Sequence, residues 1–313
     1  MTQQAREARH EDRGHTGRVL VLGSLNTDLF ARVTRHPRPG ETILGRGGET
    51  RAGGKGANQA AAAALAGGTV RMIGAVGDDP HAQTALGTLR RSGCDLSGVR
   101  VVLGPTGVAL ITVSEDGENT IIVIPGANAE VGGPELSQLA DIGPGDILVL
   151  QGEVPVAAAA EGACQADEAG ARVIVNLAPV VPYPPDVLRL ADPLVVNEHE
   201  GTGALAILGV DAPCEPEDIV QALIDSRVPS VVMTLGSAGA VIAAPDISRV
   251  PAVSVTHVVD TTGAGDAFVG ALATGLATGH TLRDAAERAN RFAAEAVQRE
   301  GAQDSYPDWR TTR

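Results

Sequence analysis

The stretch VDTTGAGDAFVGAL, residues 259–272, sets two carboxylates, Asp260 and Asp266, around Gly263 and Gly265. Glycine allows a tight turn without a Cβ penalty, and the free amides that open a helix form an anion site. Asp266 would sit in the first turn of such a helix, either as a cap or as a base beside a bound anion. A second glycine-rich stretch, GGKGANQA over 53–60, also precedes a helical pattern. It is not a Walker A loop, because Gly56 follows Lys55 and position 49 is Glu. Nor does VLGSLNTD carry the three glycines of a dinucleotide fingerprint.

Other polar groups fall where strands should end. Asn26 and Asp28 in GSLNTD are two apart and could accept hydrogen bonds from adjacent hydroxyls, as a sugar diol requires. Asn197 and Glu200 in NEHE could reach phosphate and a metal-bound water, or simply cap the next helix. TLGSAG, from Thr234, offers a Gly-Ser turn suited to phosphate. Glu153 and Asn176 complete a set drawn from distant segments, which an α/β sheet would gather at the C-terminal ends of its strands.

The elements that must position these groups are legible in outline. The 313-residue chain is 43 % hydrophobic but only 2 % aromatic, so its core is built from Val, Leu, Ile and Ala. From about 145 onward strands and helices alternate, with strands at DILVLQGE, RVIVNLAP, PLVVNEHE and SVVMTLGSAGAVIA and helices at 156–169 and 216–226. The C-terminal part reads as two packed helices, and 56–68 as a short Ala-rich helix. Segments 29–54 and 107–128 break the rhythm with Gly and Pro punctuation and a hairpin signal at EDGEN. They predict a small accessory sheet. The first 17 residues read as a disordered polar tail.

A net charge of −14 argues against general binding to nucleic acid or anionic membrane, though local amides can still hold a phosphate. Cys94, Cys164 and Cys214 are widely separated and form no CxxC, which fits idle thiols in a reducing cytoplasm. No apolar run suggests a membrane span.

Taken in order, GSLNTD, GGKGANQA, GVALI, DGEN, PGAN, QGEVP, NLAP, NEHE, TLGSAG, DTTGAGDAF and GAQDSYP resemble the ribokinase-like (PfkB) sugar kinase family over roughly 18–308. The resemblance implies a three-layer α/β/α sandwich with a small β-sheet lid, its strands at about 27–53 and 107–125, followed by a C-terminal tail at 309–313. It implies transfer of a phosphoryl group from ATP to the 5-hydroxyl of ribose. Asp266 matches the base. Asn26, Asp28, Gly54, Lys55, Asn58 and Glu153 match sugar-binding positions, and Gly263, Ala264 and Gly265 an anion hole. Asn197, Thr234, Gly236, Ser237, Gly265 and Asn290 match nucleotide positions, with Glu200 acting indirectly on Mg²⁺. An activating K⁺ would map to Asp260, Thr262, Ala296, Arg299, Gly301 and Ser305, and the lid would pair two subunits into a homodimer.

Two departures, Leu177 where the family favours Pro and His199 where it favours Thr, remove no functional group. Kinases of 2-deoxyribose, of another sugar or of a nucleoside remain alternatives, as does a non-catalytic sugar binder. The predicted lid segments contain only Phe30 as an aromatic, which favours a polyhydroxyl sugar over a base.

Overall fold

The computed structural model describes residues 16–244 and 246–310. The predicted tail at 1–17 therefore lies almost wholly outside the described residues. Gly17 is within them and is already anchored, its amide donating to Ala277 O at 2.9 Å.

The strands in chain order are β1 (Val19–Leu22), β2 (Asn26–Val33), β3 (Arg46–Gly53), β4 (Val70–Gly77), β5 (Asp95–Val102), β6 (Gly107–Ser114) and β7 (Asn119–Ile124). They continue with β8 (Ile147–Leu150), β9 (Arg172–Asn176), β10 (Ala191–Val196), β11 (Val231–Thr234), β12 (Ala240–Ala243) and β13 (Ile247–Val250). The longer helices are α1 (Lys55–Leu65), α2 (Val156–Glu168), α3 (Glu198–Leu208), α4 (Pro216–Asp225), α5 (Ala264–Ala277) and α6 (Leu282–Ala296).

Nine strands form the main sheet in the order β13-β12-β11-β10-β9-β8-β1-β4-β5. From β5 to β11 the pairing is parallel; β12 and β13 fold back antiparallel at one edge. The central strands are apolar on both faces, as a sheet covered on both sides requires. In β1, Val19 and Val21 join a core with α1, α5 and α6, while Leu20 and Leu22 join a second core with α2, α3 and α4. The predicted three-layer α/β/α sandwich is thus present.

A separate four-stranded sheet, in the order β3-β2-β6-β7, occupies the predicted lid segments. Asn26 and Asp28 lie on β2 itself, at the base of this sheet. Being two apart on a strand, they face the same side. The segment PHAQTALGTLRRSG forms two short helices, His81–Ala85 and Gly87–Arg91. β5 and β13 were not distinguished in the sequence.

Of the C-terminal tail predicted at 309–313, Trp309 and Arg310 are among the described residues. Trp309 donates its amide to Leu65 O at 2.8 Å, stacks edge-on against Phe292 at 5.1 Å and lies under the Arg288 guanidinium. A large amphipathic ring at a domain end buries its apolar body where the core offers a facing aromatic.

Small residues set the contact between α1 and α5. A Cβ on Gly270 of α5 would lie 2.5 Å from Gln59 O, 2.6 Å from Ala62 Cβ and 2.7 Å from Ala63 N of α1. The Thr274 hydroxyl locks the same contact by donating to Ala63 O at 2.9 Å. Gly270→Ala should therefore force the helices apart and lower stability by about 1–3 kcal/mol. Urea unfolding would show this as a lower midpoint at constant slope.

Candidate active site

Asp266 is 7 % exposed in the first turn of α5. Its Oδ2 accepts Asn58 Nδ2 at 2.9 Å and its Oδ1 accepts Gln59 Nε2 at 2.8 Å. Both donors come from GGKGANQA, so the two glycine-rich motifs meet at one carboxylate. Gly263 precedes the helix with φ 73°, and a Cβ there would lie 2.7 Å from Ala302 Cβ and 2.9 Å from Tyr306 Oη. Only glycine suits both that backbone and that space. The Tyr306 hydroxyl donates to Gly263 O at 3.1 Å, pinning the turn.

The Ala264 amide donates to Thr261 O at 3.2 Å. The amides that open toward a ligand are then those of Gly265 and Asp266, which a helix start leaves without internal acceptors. Nothing lies within 4 Å of a Cβ built on Gly265, so the turn faces open space there.

Beside this helix start lie the predicted sugar-side groups. Glu153 Oε2 accepts the Ser24 hydroxyl at 2.6 Å and the Lys55 amide at 3.0 Å, fixing a carboxylate at the N-terminus of α1. Gly54 caps that helix with φ 87°, its Cα facing Asn26 N and Ser24 O. Asn26 Oδ1 already accepts Asn128 Nδ2 at 2.7 Å, which leaves one acceptor site and both Nδ2 hydrogens for a ligand.

Asp28 lies over Gly53, where any Cβ would collide with the carboxylate, and its Oδ1 is buried without a partner. Burial, with Glu153 and Asp266 adding like charge, pushes the Asp28 carboxyl up to about 7. Lys55 answers this cluster. Asp266 above all, and then Glu153 and Glu200, raise its ammonium above the usual lysine range against the cost of burial.

Of the residues predicted on the nucleotide side, Asn197, Thr234, Gly236 and Ser237 lie at or just after the ends of β10 and β11. Asn197 and Glu200 form a reciprocal capping box on α3, each backbone amide donating to the other side chain at 2.8 Å. Burial raises the Glu200 carboxyl, and Lys55 offsets part of that. Thr234 donates weakly to Val196 O at 3.4 Å, tying the ends of β11 and β10, and Gly236 and Ser237 are exposed on the turn that follows. Asn290 on α6 holds the chain after β13 by donating to Pro251 O at 3.0 Å.

A third group converges at the C-terminal end of α6. Asp260 accepts the amides of Thr262 and Gly301, each at 2.9 Å. Burial works against ionisation, yet these bonds hold its carboxyl below the usual range. Arg299 Nη1 donates to Ser305 O at 3.3 Å and the Arg299 amide to Ala296 O at 3.0 Å. The donor set is carboxylate, hydroxyl and carbonyl oxygen, the chemistry of a hard cation. Among the described residues no three His, Cys, Asp or Glu side chains cluster as a metal site.

Several participants carry no sequence signal of their own. Gln59, Gln151 and Gln303 are buried amides around Asp266, and Asn128 and Ser24 brace the lid base. Asn176, noted only as a polar strand end, accepts from Gln59 at 2.9 Å.

Comparison with known proteins agrees with this geometry. The model of the pfkB family of carbohydrate kinases matches residues 16–309. The ribokinase of Schizosaccharomyces pombe is 37 % identical over 302 residues, covering 92 % of this chain and 94 % of that protein. Among solved structures, ribokinase from Thermotoga maritima superposes with a TM-score of 0.85 at 31 % identity, covering 93 % of this chain and 96 % of that one. Arabidopsis thaliana ribokinase complexed with ribose and ATP gives 0.84 at 32 % identity, covering 94 % and 96 %. The family model matches nearly the whole chain, and this chain belongs to the pfkB family of carbohydrate kinases.

Proposed function

We propose that this protein is an ATP-dependent ribokinase, phosphorylating the 5-hydroxyl of D-ribose to give D-ribose 5-phosphate and ADP. The observation that carries the reading is the buried Asp266 carboxylate at the N-terminus of α5, held by the GGKGANQA helix and flanked by Asp28, Glu153 and Lys55. The identity to ribokinases over nearly the whole chain supports it.

Phosphoryl transfer needs alignment and charge stabilisation more than covalent chemistry. The 5-hydroxyl oxygen attacks the γ-phosphorus, its proton passes to Asp266, and the bond to the β-phosphate oxygen breaks to release ADP. The amides of Gly265 and Asp266 hold the developing charge at the helix start. Asn26, Asp28, Gly54, Lys55, Asn58 and Glu153 bind and orient the sugar. Asn197, Thr234, Gly236, Ser237 and Asn290 line the nucleotide side. Glu200 would hold Mg²⁺ indirectly, and the ion would supply charge neutralisation on the phosphates. A K⁺ ion would be held by oxygens of Asp260, Thr262, Ala296, Arg299, Gly301 and Ser305, and would steady the turn that leads into α5. The lid excludes water, which limits ATP hydrolysis.

The lid also supports a homodimer. Leu110 and Ile122 are paired across β6 and β7 on one face, 38 % and 58 % exposed, beside Ile124. β7 is an unpaired edge of this sheet, and an exposed apolar edge favours association. Among the described residues no helix is long and apolar enough to cross a membrane, and we assign the protein to the cytoplasm.

Three outcomes are expected. Asp266→Ala should lower ribose-dependent ADP release by about 10²–10⁴-fold; an undiminished rate, or a wild-type preference for adenosine over ribose, would overturn the assignment. Because Asp28 titrates at about 7, its sugar-accepting anion forms as pH rises through that value. KM for ribose should therefore fall between pH 6 and 8 by roughly the tenfold that one pH unit of titration allows, and Asp28→Asn should flatten that dependence. Ile122→Lys should yield a monomer by light scattering while the fold is retained; a monomeric wild type would remove the lid from this role.

A further inference from the structure

Two chains of buried amides converge on Asp266. In the first, Gln151 Nε2 donates to Gln59 Oε1 at 2.7 Å, and Gln59 Nε2 donates to Asp266 Oδ1 at 2.8 Å. In the second, Gln303 Nε2 donates to Asn58 Oδ1 at 2.9 Å, and Asn58 Nδ2 donates to Asp266 Oδ2 at 2.9 Å. In each chain the inner amide, Gln59 or Asn58, accepts from the outer one and donates to the carboxylate, while the outer oxygens, Gln151 Oε1 and Gln303 Oε1, are buried with no hydrogen-bond partner among the described residues. We propose that these two relays are the positioning device of the base, with Gln59, Gln151 and Gln303 as positioning residues that never touch substrate. The proposal rests on Asp266 being the base of the reaction assigned above.

Three features set the relays apart from ordinary polar packing. First, Gln59 and Gln151 are fully buried and Gln303 nearly so, among alanines and aliphatic side chains. An apolar residue would fill such space without the cost of burying an amide. Second, the bonding runs one way. Aligned amides polarise each other, so each outer amide strengthens the inner donor. Third, Gln59 spends both its hydrogens, the second on Asn176 Oδ1 at 2.9 Å, and this fixes its amide plane. The carboxylate is thereby clamped at both oxygens by donors from α1, themselves braced from the loop after β8 and from the 3-10 turn at Gln303–Ser305.

The arrangement suits a base better than a salt bridge would. A carboxylate has about four acceptor sites, and two amide donors leave the others for a hydroxyl. Amides hold direction without adding a full charge, so the proton arriving from the sugar does not compete with a bonded cation.

The test uses Gln59→Glu, which keeps the volume and exchanges the donor for an acceptor, together with Gln59→Leu and Gln303→Leu. The carboxyl ¹³C resonance of Asp266, identified by its loss in Asp266→Asn, reports the clamp in protein without sugar or ATP. It should move from its wild-type position in both Gln59 variants and less in Gln303→Leu. With ribose and ATP, kcat should fall by roughly 10–100-fold in the Gln59 variants, as misplacement of a reacting group predicts, while KM for ribose stays within about threefold as bare packing loss would not select. A resonance unmoved in folded Gln59→Glu overturns the relay, and so does a moved resonance with unchanged kcat. If the wild type fails to phosphorylate ribose while the resonance moves, the assigned substrate falls and the clamp stands.

Discussion

A carboxylate ion buried at the mouth of a helix is expensive unless every neighbour is arranged for it, and most of this molecule is arranged for Asp266. Its charge is placed where the α5 dipole favours an anion. Its oxygens are met by two amides of α1. Those amides can reach it only because Gly270 and the alanines of α1 let the two helices touch at backbone distance. Large side chains between α1 and α5 would carry the donors away from the acid.

This contact also explains which parts of the fold and the site could be read in the sequence. The layers were legible because parallel strands buried on both faces are continuous apolar runs. The lid was legible because Gly, Pro and a hairpin turn interrupt the βα rhythm. Asp266, Lys55 and Asn58 were legible because they sit in motifs. Gln59, Gln151 and Gln303 sit in motifs too, yet nothing about a lone Gln marks it as a partner of a residue 92 to 245 positions away. An amide carries no charge, no period and no preferred spacing, so its role appears only when the chain is folded. The engaged carbonyl of Asn26 was hidden for the same reason, since its partner Asn128 lies 102 positions away.

The lid is joined to the rest of the molecule by charge as well as by chain. Glu300, in the loop that carries the proposed cation ligands, pairs with Arg32 of β2 at 2.9 Å and with Arg51 of β3 at 3.3 Å. Arg51 also stacks over Phe30 at 5.3 Å. Exposed ion pairs of this kind contribute little to stability individually. Their placement matters more, because they link two lid strands to the loop whose Gly301 amide binds Asp260. Asp260 in turn shapes the turn that leads to Gly263. The lid and the helix start therefore share one short, continuous set of polar contacts.

The electrostatics of the cleft follow a single logic. Asp28, Glu153 and Asp266 crowd one small volume; burial, with that like charge added, drives the Asp28 carboxyl up to about 7, while Asp266 and Glu153 raise the Lys55 ammonium. A polyhydroxyl sugar supplies donors to such a cluster without adding charge, so its binding relieves desolvation that the empty cleft bears. A phosphate arriving from the other side meets the opposite field: free amides, a helix N-terminus and Lys55. The net charge of −14 would repel a nucleotide at long range, yet screening in salt confines that penalty to about 8–10 Å. Recognition is then local, with carboxylates drawing the acceptor sugar and amides drawing the donor phosphate toward the same short helix start.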